Sequence, residues 1–133
     1  MAKQILIVDD ENSVTRYLYR TLRDEKYALH IANCGKQALK VVRENHIDMV
    51  ITDLKMPGMT GYELLNKIKE LYPEIIRVVL SGDSEESRVI KIVSDTTACL
   101  YLIKPISNEV LREQIENLFS KYSRKEELVV KKL

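Results

Sequence analysis

Residues 49–65 read MVITDLKMPGMTGYELL. The apolar run Met49–Ile51 gives way to a polar stretch bearing Pro57 and Gly58. Thr60 and Glu63 then stand at the spacing at which a helix start caps itself. Leu64, Leu65, Ile68 and Leu71 follow as one helical stripe. Strand, loop and helix in immediate succession form the repeating unit of a parallel α/β sheet.

The same unit recurs on either side. Further runs rich in Val and Ile stand at Ile5–Val8, Val78–Leu80 and Leu100–Ile103. Continuous apolar runs suit strands covered on both faces. Tyr27–Ala32 differs, because Tyr27, Leu29 and Ile31 alternate with Ala28, His30 and Ala32, the pattern of a half-exposed edge strand. Helical stripes fill the gaps: Val14, Leu18 and Leu22; then Ala38, Leu39 and Val42; then Val89, Ile92 and Val93; and last Leu111, Ile115, Leu118 and Tyr122. Asp83 with Glu86 repeats the capping-box spacing, and Ser107 suits an N-cap. Five β-α units with short connections predict right-handed crossovers and an open, doubly wound five-stranded sheet, since a closed eight-fold barrel needs about 200 residues or more.

Composition agrees. A chain of 133 residues is one domain, and it is large enough to bury a core without disulfide or metal. Its 21 Lys+Arg and 20 Asp+Glu give a formal +1, which excludes a strongly basic nucleic-acid binder. No apolar run approaches the roughly 18 residues of a spanning helix, and no signal peptide opens the chain. Cys34 and Cys99 lack metal or redox spacing and read as free thiols in a reducing cytoplasm. The total charge conceals an asymmetry. Residues 121–133 hold five of the basic and two of the acidic side chains, so residues 1–120 carry 16 basic against 18 acidic groups.

Open α/β sheets bind ligands at the carboxyl ends of their strands. Asp9 and Asp10 end the first strand and Asp53 the third; Ser81 follows the fourth, and Lys104 with Pro105 the fifth. Each alone has an ordinary reading as a turn, a cap or a solvated strand end. Together they place three carboxylates, a hydroxyl and an ammonium on one rim. Close carboxylates need a cation or must take up protons. An all-oxygen set without Cys or His selects a hard ion, with Mg²⁺ suited better than Ca²⁺. Neutralisation, alignment and an oxygen nucleophile are also what phosphoryl transfer requires, and a carboxylate can be that nucleophile.

The runs ILIVDDE, VITDLKMPGMTGYELL, VVLSGD and YLIKP resemble the receiver domain of bacterial two-component response regulators, from residue 4 to about 120. The resemblance implies a (βα)5, flavodoxin-like sheet of strand order 2-1-3-4-5, with a receiver at 1–120 and a charged tail or linker helix at 121–133. It implies that Asp53 accepts a phosphoryl group from a histidine kinase phosphohistidine. Asp10, Asp53 and the Lys55 backbone carbonyl would bind Mg²⁺ (or Mn²⁺), with Asp9 acting through water. Lys104 would pair with the phosphoryl group, Ser81 would hydrogen-bond it, and Lys104–Pro105 would be a cis peptide. Ser81 and Tyr101 would carry the switch to the face formed by the fourth helix, fifth strand and fifth helix. The implied partners are a sensor histidine kinase or phosphotransfer protein and an output domain or partner protein, with a homodimer possible and no nucleic acid or membrane bound directly.

Some residues depart from the family pattern. Cys34 stands where a polar helix cap is usual, and a thiol caps poorly, which predicts a frayed start to the second helix. Thr97, Cys99 and Leu100 make the face before Tyr101 more apolar, as local repacking or as a hydrophobic partner surface. Lys55 projects near the site. Leu111, Ile115, Leu118, Tyr122, Val129 and Leu133 nearly keep heptad spacing, so the last helix either runs on as a signalling helix or gives way to a solvated end at Ser123.

Other functions fit less well. A phosphohydrolase of the haloacid dehalogenase type needs a second Asp two residues after its nucleophile, where this chain has Lys55. A P-loop is absent. A pseudo-receiver would have a damaged site, and all five positions are intact. A single-domain phosphorelay regulator without an attached output remains an alternative.

Overall fold

The computed structural model describes residues 2–23, 26–82 and 98–132. Five parallel strands, β1 (Gln4–Val8), β2 (Ala28–Ala32), β3 (Met49–Thr52), β4 (Ile76–Ser81) and β5 (Leu100–Ile103), form one sheet of order β2-β1-β3-β4-β5. Four helices are described: α1 (Asn12–Leu22), α2 (Gly35–Glu44), α3 (Gly61–Leu71) and α4 (Asn108–Lys132). The doubly wound sheet expected from the apolar runs, with the flavodoxin-like strand order that the resemblance implies, is therefore observed. The helix expected around Val89, its cap pair Asp83 and Glu86, and Thr97 lie outside the described residues.

Strand alternation sorts the core into two layers. Ile5, Ile7, Met49, Ile51, Val78 and Leu80 face α1 and α4, where Leu18, Leu22, Leu111 and Ile115 meet them. Leu6, Val8, Val50 and Val79 face α2 and α3, where Ala38, Val42, Leu64, Leu65 and Ile68 close the other side. β1, β3 and β4 are thus largely apolar on both faces because both faces are covered, Arg77 of β4 being the charged exception. At the β2 edge Ile31 is exposed while Ala32 is buried.

Helix starts follow their caps. The Thr60 hydroxyl accepts from the Glu63 N–H at 3.1 Å, and the Glu63 carboxylate accepts from the Thr60 N–H, a closed capping box. Ser107 Oγ accepts from the Val110 N–H at 3.2 Å. Two expectations need correction. Cys34 does cap α2, its sulfur accepting from the Gln37 N–H at 3.5 Å. Gln37 reaches back to accept from the Asn33 N–H at 2.7 Å, so the weak thiol cap is reinforced. Leu71, placed on the inward stripe of α3, is 62% exposed, standing as the last residue of the helix.

Cys99 and Leu100 pack partly buried against the α1–α4 layer, so their apolar character serves the interior; among the described residues of this region, Ile103 and Val110 are large apolar side chains left exposed. α4 passes unbroken through Ser123 and Lys125 to Lys132. No helix among the described residues is long and apolar enough to cross a membrane.

Candidate functional site

Register decides which side chains meet. Val8 of β1 and Thr52 of β3 are direct partners, so the residues that follow them, Asp9 and Asp53, leave adjacent strands side by side. Adjacent strands lie only about 4.8 Å apart. The Asp53 N–H donates to the Val8 carbonyl at 3.1 Å, which extends the ladder one step to the rim. Carboxylate oxygens of Asp9, Asp10 and Asp53 all lie within 4.8 Å of one another. Asp9 and Asp53 are buried and Asp10 is exposed, so the cluster opens to solvent on one side.

The partners of these carboxylates are specific. Asp9 Oδ1 accepts from the Glu11 N–H at 2.9 Å, and Asp9 Oδ2 from Lys104 Nζ at 3.2 Å. Asp53 Oδ1 accepts from the Leu54 N–H at 2.7 Å, while its Oδ2 lies 3.6 Å from Lys104 Nζ. Lys104 extends from β5, three strands from β1, and only a long side chain spans that distance. One ammonium thus serves two buried carboxylates, with a third beside them. Burial pushes the Asp9 carboxyl above its ordinary range; the Glu11 N–H and the Lys104 charge oppose that shift, and Asp53 adds to it. Three carboxylates and one ammonium leave a net negative pocket, with repulsion of about 3–4 kcal/mol per close pair at an effective dielectric near 20. An all-oxygen set of this kind fits a hard divalent cation.

Ser81 ends β4 fully buried, and its carbonyl accepts from the Lys104 N–H at 2.9 Å, which ties the fourth and fifth strand ends together. The Lys104–Pro105 peptide is cis. Lys55 is exposed in the β3–α3 loop, two residues past Asp53. Tyr101 is half-buried against the α2–α3 layer and opposite Val79.

Two neighbours escaped the sequence reading. Thr52 is buried and donates its hydroxyl to the Asp53 carbonyl at 2.9 Å. Gly61 opens α3 so close to that peptide that a Cβ placed on it would lie 1.8 Å from the Asp53 carbonyl oxygen. A glycine directly after the Thr60 cap was the available signal for the second; nothing local marks the first.

Comparison with known proteins adds relatives. The sequence profile of the response regulator receiver domain matches residues 5–116. Chemotaxis protein CheY of Pseudomonas aeruginosa is 30% identical over 121 residues, which cover 89% of this chain and 97% of CheY. Transcriptional regulatory protein ZraR of Escherichia coli is 37% identical over 112 residues, covering 84% of this chain and 25% of ZraR. Hydrogenase transcriptional regulatory protein HoxA of Cupriavidus necator is 33% identical over 101 residues, 76% of this chain and 21% of HoxA. The chain therefore spans a quarter or less of those two regulators. Among solved structures, the response regulator TrrA of Thermotoga maritima in complex with Mg²⁺ and BeF superposes with a TM-score of 0.79 at 30% identity, covering 87% of this chain and 98% of that one.

Proposed function

The chain belongs to the response regulator receiver domain family, and from that premise we propose that Asp53 is its phosphoacceptor. Receiver domains of this family are phosphoryl-accepting modules of two-component signalling. A carboxylate oxygen of Asp53 attacks the phosphorus of a phosphohistidine on a sensor histidine kinase or phosphotransfer protein. The P–O bond forms as the P–N bond breaks, and the leaving imidazole keeps the electron pair. The observation that carries this reading is the setting of Asp53: Oδ1 is fixed by the Leu54 N–H, and Oδ2 faces Lys104 beside two further carboxylates.

Asp10, Asp53 and the Lys55 carbonyl would hold Mg²⁺ (or Mn²⁺), with Asp9 acting through water. Bound there, the ion supplies neutralisation of the phosphoryl oxygens. Lys104 exchanges part of its contact with Asp9 for the phosphoryl group, and the Ser81 hydroxyl donates to it. Ser81 and Tyr101 then bias the arrangement of the surface around β5 and the C-terminal helix. The domain promotes its own phosphorylation and dephosphorylation in the cytoplasm and has no multiple-turnover substrate. The longer relatives ZraR and HoxA support an output domain as the recipient of the switch. CheY, matched over nearly its whole length, supports a stand-alone regulator acting on a separate partner.

Incubation with acetyl phosphate and Mg²⁺ tests the assignment by intact mass. The wild-type chain gains one phosphoryl group and the Asp53→Asn variant gains none; equal labelling of the variant would remove Asp53 from this role.

A further inference from the structure

Between α1 and α4 lies a second concave site, open to solvent, of about 430 Å³. Arg16 and Arg20 line it from α1 and Arg112 from α4, with the hydroxyl-bearing side chains of Ser13, Tyr17 and Thr21 between them; among the described residues no carboxylate takes part. Arg16 and Arg20 are exposed, four residues apart on one helical face, a spacing at which like charges destabilise a helix. Neither forms an ion pair with a described residue. Three guanidiniums thus converge in a site whose described lining residues include no carboxylate.

The walls are braced. The Tyr17 hydroxyl donates to the Ile106 carbonyl at 2.9 Å and also meets Asn108 Oδ1. Thr21 Oγ1 lies 2.8 Å from the Tyr17 carbonyl and 3.2 Å from the same Asn108 oxygen. Arg112 Nε donates to the Thr21 carbonyl at 3.2 Å, which fixes the base of its guanidinium against α1. The walls therefore stand before any ligand arrives, and the ordering cost of binding falls mainly on the exposed Arg16 and Arg20 side chains.

We propose that this α1–α4 groove binds a small polyanion carrying linked phosphates, held by Arg16, Arg20 and Arg112. Arginine forks match phosphate oxygens in pairs, and three of them around one concavity suit two or more adjacent phosphates. The volume lies in the small-molecule range of about 300–1,000 Å³. An α-helix of a partner, about 10 Å across, needs a longer trough. The inference does not depend on Asp53 being the phosphoacceptor.

A titration of ¹⁵N-labelled protein with sodium tripolyphosphate, in EDTA and low salt, tests it. EDTA keeps divalent cations from drawing phosphate to the Asp9–Asp53 rim. Saturable shifts confined to α1 and the first turns of α4 are expected, weakened roughly tenfold in an Arg16→Gln, Arg20→Gln variant whose circular dichroism is unchanged. Unaltered affinity in that variant would overturn the proposal. So would shifts that never saturate, or hexaglutamate binding as tightly as tripolyphosphate.

Discussion

Gly61 abuts Asp53: the first residue of α3 lies so close to the peptide of the candidate phosphoacceptor that a Cβ would stand 1.8 Å from its carbonyl oxygen. The obstacle is backbone, which cannot swing aside as a flexible side chain does. Gly61→Ala must push α3 and the Asp53 loop apart, breaking the Gly61 N–H bond to the Leu54 carbonyl, now 2.9 Å. A loss of about 2–4 kcal/mol in urea unfolding is expected, with slower labelling by acetyl phosphate. Substitution at Gly82, where nothing among the described residues lies within 4 Å, is the control for a tolerated change.

Lys104 holds together groups that repel one another. Lys104→Met removes the ammonium 3.2 Å from Asp9 and 3.6 Å from Asp53. Because the Lys104 side chain is 23% exposed, the expected loss in metal-free protein is moderate, about 1–2 kcal/mol. Thermal melts with and without Mg²⁺ check this: the cation stabilises the variant more than the wild type, since it replaces a missing charge.

Asp9 sets a pH dependence whose sign is fixed. Its folded carboxyl is raised above the ordinary 3.8, chiefly by burial, so in that window the folded state keeps a proton that the unfolded chain has lost. Its contribution to metal-free stability therefore falls as pH rises from 3.8 through the raised value, and the full cost persists above it. Asp9→Asn removes this slope and raises the urea midpoint at neutral pH in EDTA. The same variant gains less from added Mg²⁺.

The opposite end of the sheet carries a second titrating contact. Tyr122 of α4 hydrogen-bonds Cys99 at the entrance to β5. That bond first and burial second hold its phenol up to about 12, against the pull of Arg77. Stability from this group is intact below the ordinary phenol value of 10.0 and is lost as pH rises toward 12. Ultraviolet titration of the wild type is expected to show a late-ionising phenol that Tyr122→Phe lacks.

Strand ends were the most legible part of the chain. Asp9, Asp10, Asp53, Ser81 and Lys104 each follow an apolar run, and parallel register brings such positions to one rim whatever the loops do. Features that depend on a distant neighbour were opaque. Gly61 is needed only because α3 starts against the Asp53 peptide. Arg77 is buried inside β4, its guanidinium donating to the carbonyls of Pro73 and Ile75, and no local pattern announces that. Leu71 keeps the helical spacing yet is exposed as the last residue of α3.

The central claim is that the phosphoryl group is carried by Asp53. Borohydride reduction of protein treated with acetyl phosphate and Mg²⁺ converts an aspartyl phosphate to homoserine, and peptide mapping then locates it. The account predicts homoserine at position 53 alone, absent when Mg²⁺ is withheld. Homoserine at position 9 or 10 with residue 53 unmodified would contradict it.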